Sequence, residues 1–426
     1  MIIALMFIAL VIMVSINVPI AIALALAAVV GIAITDGLGA LVTVGLDMYG
    51  GARSFSLIAI PMFVLAGAIM NATGITRRLI AFVSALIGFV RGGLSMVTIG
   101  VSLFFAEISG SAVADVAAIG SVLIPEMKKR GYGGPFAAAV TSSSASLAII
   151  IPPSIPMILY AVSAGTSVEE LFVAGIVPGL IGAAGLMGVA YFLARRYNLP
   201  TEGRFEFARL GATFKDALPC FALPVIILGG IFGGFVTATE GAGLAVLAAI
   251  VVGLWYREIN WRGLKQAMLE GGMQTAVVML LVAASVLMGG YLTAARIPQQ
   301  LAAAILDITT QTFLILLILN VFFLIIGFFL HSAAAIILVI PIVVPLITQA
   351  GIDPVHFGLV VTLNLAIGQQ TPPVASVLIT ACSIAKANIW EVSKVNLPFV
   401  GVLLVVLLMC TYVPAIPMFL VEFFYR

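Results

Sequence analysis

Apolar segments follow one another along almost the whole chain, at roughly 2–16, 18–35, 54–72, 92–107, 111–127, 134–166, 171–194, 216–236, 240–256, 270–292, 312–329, 333–348, 355–386 and 396–420. Most approach the roughly 20 residues that a helix needs to cross the hydrocarbon core of a bilayer. A soluble domain carries about a quarter charged residues, whereas here 8% are charged and 63% hydrophobic. Lipid is therefore the solvent and first partner of this chain. The runs are continuous, which excludes a transmembrane barrel, whose strands alternate apolar and polar residues. The fold class is an all-α polytopic membrane protein, because in lipid each backbone polar group must be satisfied within its own segment. The first run has no basic residues before it and no Ala-x-Ala site after it, and reads as a retained helix.

Comparing the chain with itself exposes a repeat. A shift of 220 residues aligns Pro125 with Pro345, Gly131 with Gly351, Pro152-Pro153 with Pro372-Pro373, and Pro178 with Pro398; a shift of 222 aligns Val29-Val30-Gly31 with Val251-Val252-Gly253. Several proline registers at one offset are hard to obtain by chance, so two copies of one unit are expected, about 16–195 and 236–420. Two polar, helix-compatible stretches, 76–90 and 298–311, connect spans and are expected at a membrane surface.

Charge placement orients these copies. Suppose that the chain starts outside and that 92–127 and 312–348 each enter and leave by one side. Of the 19 Lys and Arg residues, only Arg53, Arg296 and Arg426 then lie outside, as the excess of cytoplasmic cations requires. Both termini fall on the outer side, and Trp255, Trp261 and Trp390 fall at the cytoplasmic boundary. The repeats are then inverted. Each arm of 92–127 and 312–348 is only about 22–27 Å long at 1.5 Å per residue, which favours re-entrant helical hairpins over full crossings.

Runs 134–166 and 355–386 are too long for one straight span, and each carries Pro-Pro near its middle. Proline has no amide to donate, so Pro152 and Pro153 free the carbonyls of Ala148 and Ile149, and Pro372 and Pro373 those of Gly368 and Gln369. A lone Pro-Pro reads most simply as a kink. Two symmetry-related breaks at a repeat interface mark a transporter site. Polar residues gather there: Thr141-Ser142-Ser143-Ser144-Ala145-Ser146 before the first break, and Asn364 with Gln369-Gln370-Thr371 at the second. The expected hairpin turns are Glu107-Ile108-Ser109-Gly110-Ser111 and 327–332. Their oxygens suit a hard monovalent cation such as Na+. Helix N-termini after Ser111, Ser154, Ser332 and Val374 would face an anion, and the candidates to hold it are Ser143, Ser154, Ser332, Asn364 and Gln369. Any single Ser or Thr can instead serve helix packing.

Glu107 and Asp115 are the carboxylates placed at membrane depth, and are candidate coupling acids, with helix pairing as the alternative for Asp115. His331, at the second turn, is a candidate ligand or pH sensor; His356 reads as an interfacial residue. The three cysteines are far apart, so no disulfide framework or zinc site is expected. There is no Gly-Lys dipeptide and hence no P-loop, no His-Glu-x-x-His or Gly-x-Ser-x-Gly, and no basic patch with interleaved aromatics for nucleic acid. Catalysis and nucleic-acid binding are not expected, and no cofactor is implied.

Ser109-Gly110-Ser111 followed by Asp115 and Ile119-Gly120-Ser121, Ile151-Pro152-Pro153-Ser154-Ile155-Pro156-Met157, and Asn364-Leu365-x-Ile367-Gly368-x-x-Thr371-Pro372-Pro373 closely resemble the large membrane subunit of tripartite ATP-independent periplasmic (TRAP) transporters. Val18-Pro19-Ile20-Ala21 and Thr237-x-Thr239-Glu240 resemble it too. The resemblance implies an elevator-type importer in a bacterial inner membrane. It would couple Na+ to uptake of a small organic acid, such as a C4-dicarboxylate, sialic acid or a related carboxylate. Its partners would be a soluble periplasmic substrate-binding protein and a small four-helix membrane subunit. The family's cation sites would fall on Ser109, Gly110, Ser111, Ser144 and Pro152, and on Gly327, Gly368, Thr371 and Val374. The implied division has scaffold helices at 1–75, 167–269 and 270–292, transport segments at 76–166 and 293–387, and a C-terminal span at 388–426. The chain departs from the family pattern at His331, where an acid is usual, at Ala145-Ser146-Leu147-Ala148, and at Glu107. A stand-alone divalent-anion symporter, which shares inverted hairpin repeats, is the alternative within transport, and a passive channel or a purely structural membrane partner the alternative outside it.

Overall fold

The computed structural model describes Met6, residues 8–10, 12, 13 and 16, and residues 18–426 except 202; at 107–109 it describes the backbone alone. The described residues contain no strand. The first repeat runs through α1 (Ile20–Thr35), α2 (Val44–Ala52), α3 (Ala59–Ala72), α4 (Ile75–Ile87) and α5 (Gly93–Ser109). Next come α6, continuous over 112–129 with a π turn at Val116–Gly120, α7 (Gly134–Ala145), α8 (Ile155–Ala164) and α9 (Val168–Arg196). After α10 (Phe207–Phe232), the second repeat runs through α11 (Ala238–Trp255), α12 (Trp261–Ala294), α13 (Ile297–Ile308), α14 (Thr312–Phe329), α15 (Ser332–Gln349), α16 (Pro354–Gly368), α17 (Ser376–Ala385), α18 (Ile389–Tyr412) and α19 (Ala415–Tyr425). Among the described residues, eight helical segments are long and apolar enough to cross a membrane.

The repeat is visible in the backbone. Gly131 and Gly351 both take a positive φ, 86° and 67°, as do Gly74 and Arg296 at the starts of α4 and α13, and Gly165 and Lys386 at the ends of α8 and α17. A left-handed residue is costly for any side chain except glycine, so Arg296 and Lys386 show that the turn geometry is kept even where the second copy has lost its glycine. Both Pro-Pro bonds are cis.

Local chemistry sets the helix starts. Ser154, Ser167, Asn260, Asp353 and Asn388 each accept a backbone amide from the first turn of the helix that follows, satisfying donors that have no partner within the helix. Thr237 and Glu240 form a reciprocal capping box at the start of α11, so the Thr237-x-Thr239-Glu240 motif is, physically, a helix start. The stretches 76–90 and 298–311 fold, as expected, largely into helices, α4 and α13. Three elements differ from the expected runs. Residues 38–52, read as a break, form a 3₁₀ turn and α2. The run at 270–292 extends back to Trp261 as one helix of 34 residues. The final run divides after Tyr412 into α18 and α19, because Pro414 cannot donate to continue the ladder.

Helices α1, α2, α3 and α11 pack on one another through the long α12 and α3. The hairpin and broken-helix segments form a second group, in which α7 packs on α5, α17 and α18, and α16 on α14 and α18. Helix α9, at 168–196, packs on this second group, against α5, α16, α18 and α19. The reason is a stripe of glycines. At Gly175 a Cβ would collide with the Ile150 carbonyl, at Gly179 it would lie 2.5 Å from the Ile151 side chain, and at Gly182 it would lie 3.3 Å from Leu147. The first break therefore seats against bare backbone.

Candidate functional site

Each helix tip sits on the break of its own repeat. In the first repeat Gly110, with φ of 57°, accepts the Ile155 amide at 3.4 Å, and a Cβ on Gly110 would lie 2.9 Å from the Pro153 carbonyl. In the second, the Val374 amide donates to the Phe328 carbonyl at 3.3 Å. A Cβ on Gly368 would come within 2.5 Å of the Gly327 Cα. Glycine at 327 and 368 is thus what lets two backbones touch.

The carbonyls freed by proline are largely satisfied inside the protein. Ile149 accepts the Ser154 hydroxyl at 2.7 Å, Gly368 accepts the Thr371 amide at 3.0 Å, and Gln369 accepts the Val377 amide at 3.3 Å. Two helix starts are displaced by one residue from expectation: α15 begins with Ser332 itself, with His331 as its N-cap, and α17 begins after Ala375 rather than after Val374.

A cavity of about 660 Å³ opens where the tips meet the other helix group. One wall carries Gly110 and Ser111 from the first tip, Ile149, Ile155 and Pro156 from the first break, His331 and Ser332 from the second tip, and Gln369 from the second break. The facing wall comes from α1 and the residue before it (Pro19, Ile20, Ala21), α3 (Val64) and α12 (Met273, Gln274, Val277, Val278, Leu281). Of the residues singled out from the sequence, Gly110, Ser111, Ser332, Gln369 and His331 line this space. Gln274 was missed; its signal was a lone amide inside a long apolar run.

The remaining candidates hold the protein together around the cavity. Ser143 donates to Asn396 at 2.6 Å, Ser144 meets Ser102 at 2.9 Å, and Asn364 donates to Asn320 at 2.7 Å and to the Val360 carbonyl at 2.8 Å. Ser144 and Asn364 are 220 residues apart, and each ties its broken helix to the preceding arm, α5 or α14. Thr371 donates to the Ile367 carbonyl at 3.1 Å. Gln370, which carried no assigned role, bridges the halves: its amide donates to the Ser142 carbonyl and the Ser146 hydroxyl, and its oxygen accepts from Asn396 at 3.4 Å. Asp115 is buried in the first turn of α6. The side chains of Glu107 and Ser109 lie outside the described residues.

Gly110, Pro152, Ser144, Gly327, Gly368, Thr371 and Val374 offer only carbonyl and hydroxyl oxygens, the donors suited to a hard cation. In the second repeat Gly327, Gly368, Thr371 and Val374 share one junction of tip and break.

A family model described as "Tripartite ATP-independent periplasmic transporter, DctM component" matches residues 7–416. The isethionate TRAP transporter permease protein DctMQ of Oleidesulfovibrio alaskensis is 40% identical over 409 residues, 92% of this chain and 64% of that longer protein. The chain thus spans under two thirds of the length of that relative. The C4-dicarboxylate TRAP transporter large permease protein DctM of Pseudomonas aeruginosa is 36% identical over 375 residues, 88% of each chain. Among solved structures, the YdaH transporter of Alcanivorax borkumensis, described as having an unusual topology, superposes with a TM-score of 0.60 at 14% identity, over 92% of this chain and 90% of that one; it shows the fold alone. The relatives are transporter permeases rather than enzymes, and the chain belongs to the DctM large-permease family of tripartite ATP-independent periplasmic transporters.

Proposed function

We propose that this protein is the translocating subunit of a Na+-coupled importer of a small organic acid, working with a small membrane subunit and a periplasmic substrate-binding protein. The observation that carries this reading is the cavity between the two hairpin tips and the wall formed by α1, α3 and α12. Such a space is bounded by two groups of helices, so movement of one group against the other would carry its contents across the bilayer, as an elevator does. Na+ would be held by the oxygens at Gly110, Ser144 and Pro152 and at Gly327, Gly368, Thr371 and Val374. Tightening each tip on its break, the ion would couple its own gradient to closure over substrate. With inverted repeats the two tips would face opposite sides of the inner membrane, with both termini on the periplasmic side.

The test is uptake into liposomes holding this chain and its small subunit, with the loaded binding protein outside and an inward Na+ gradient. Accumulation above the external concentration that collapses when the gradient is removed supports the reading. Equilibration without accumulation contradicts it.

A further inference from the structure

A second cavity, of about 280 Å³, lies further along α12. The first is bounded on α12 by residues between Met273 and Leu281, the second by residues between Val282 and Gly290. The second set begins nine residues further on, about 14 Å at 1.5 Å per residue. Helices α8 and α15 border both spaces, with their first turns at the first cavity and later residues, Leu159 and Ile337, at the second.

The repeat relates the two spaces. At the tips and breaks its register is 220 residues, which exchanges 111–114 with 331–334 and Ile149 with Gln369, all of them in the first cavity. The wall carried by the hairpins and breaks is thus its own counterpart. Between α1 and α4 the register is 222, fixed at one end by Gly31 and Gly253 and at the other by the left-handed Gly74 and Arg296. It carries Met273 and Val64 of the facing wall onto Gly51 and Val286, and both of these line the second cavity. Inverted copies have two symmetry-related arrangements. In the second, the same tips face Gly51 and Val286. Ser285 is an independent sign that this space is used. It lines the second cavity, whose other residues are hydrocarbon or glycine apart from Ser163. Its hydroxyl is buried and has no hydrogen-bond partner among the described residues, an unfavourable state that Ala or Val would avoid. On α12 it follows Gln274 by eleven residues, or three turns, so the two project along one line of the helix.

We propose that the second cavity is the outer position of the first: the tips move along α12 to face Gly51 and Val286, and there the Ser285 hydroxyl bonds an oxygen of the carried acid, as the Gln274 amide does at the present position. The charge placement that sets the Trp261 end of α12 at the cytoplasm makes this the periplasmic position. This rests on the uptake reading above and adds to it the path and the residue that meets the solute at the far end.

The test uses the full-length chain with its small subunit in liposomes. The native cysteines are buried, so two cysteine pairs are introduced into the otherwise unaltered protein. One is Ala333→Cys with Val278→Cys, both in the present cavity; the other is Ala333→Cys with Val286→Cys, one in each cavity. Each is treated with o-phenylenedimaleimide, and bridged peptides are read by mass spectrometry. Both pairs are expected to bridge. Separately, Ser285→Cys is treated from outside with 2-sulfonatoethyl methanethiosulfonate, a small membrane-impermeant monoanion, and labelling at least tenfold above that of the unaltered chain is expected. Bridging of the first pair alone would overturn the outer position while leaving the present cavity as the uptake site. Bridging of neither would overturn the placement of the tips against α12, and the uptake reading with it. Both pairs bridged, with Ser285→Cys labelled no more than the unaltered chain, would overturn the role of Ser285.

Discussion

The Ser146 hydroxyl reaches the carbonyl of Ala366 at 3.4 Å, and these two residues occupy the same position in the two repeats, 220 residues apart. Two copies related by an approximate two-fold axis can touch through equivalent positions only beside that axis. The broken helices therefore cross at the centre of the pseudo-symmetry. Gln370 lies in the same place: its equivalent in the first repeat is Ile150, whose carbonyl packs on Gly175, while the Gln370 oxygen accepts from Asn396.

Replacing Gln370 by Leu leaves the Ser142 carbonyl, the Ser146 hydroxyl and the Asn396 amide without their bridge in a buried site. Unpaired buried polar groups cost about 1 to 3 kcal/mol each; the Ser142 carbonyl keeps the Ser146 amide and the Ser146 hydroxyl keeps its acceptors Ser142 and Ala366, so the expected loss is that of the Asn396 amide, about 1 to 3 kcal/mol. Thermal unfolding of the purified protein measures it, and an unchanged midpoint would show that the bridge contributes nothing.

At the second tip, Gly368→Ala puts a Cβ 2.5 Å from the Gly327 Cα, forcing the tip off the break. The half-saturating Na+ concentration for uptake is expected to rise at least tenfold, about 1.4 kcal/mol. Gly401→Ala meets no atom within 4 Å and serves as the matched control. Equal Na+ dependence in both variants would remove the junction from the cation site.

Thr371→Val deletes one oxygen at the same junction while keeping the shape of the side chain. Weaker Na+ dependence, by about tenfold in the half-saturating concentration, is expected, with Thr371→Ser close to the unaltered chain. A Val variant that titrates like the Ser variant would show that the hydroxyl does not meet the ion.

Arg78 on α4 grips Glu258, which follows α11, through two hydrogen bonds of 2.8 and 3.1 Å, with side chains 14% and 26% exposed. The hydrogen bond from Arg78, then its charge and that of Arg77, outweigh desolvation and hold the Glu258 carboxyl below its ordinary 4.5. A depressed carboxylate stabilises the fold fully above its unfolded pKa and loses that contribution as pH falls through its lower folded value. Glu258→Gln is therefore expected to cost about 1 kcal/mol near neutral pH and to flatten the loss of stability below about pH 4.5. Unfolding midpoints from pH 7 down to 3 decide it; parallel curves for the two proteins would exclude the clasp as a stabilising contact.

Much of this architecture can be read from local pattern. The breaks at Pro152-Pro153 and Pro372-Pro373, the tips at Gly110 and 327–332, the connecting helices α4 and α13 and the 220-residue repeat all follow from run length and the missing amide of proline. The site was legible in part. Ser111, Ser332, Gln369 and His331 reach the cavity because tips and breaks must meet, whereas Ser143 and Asn364, equally polar and as close to the breaks, turn to Asn396 and Asn320 instead. No local pattern distinguishes the two sets, since the helix periodicity of 134–145 and 354–368 buries every face.

What the sequence by itself determined is the solvent of this protein, its repeat and where its helices break, because these depend on composition and on backbone amides within a few residues. Only the tertiary structure decided which polar groups face open space and which face each other. That choice depends on how two halves 220 residues apart pack across their axis, and on which glycines let α9 and the two tips approach. Gln274, the lone amide of the apolar run 270–292, acquired its place only when α12 was set opposite the start of α15.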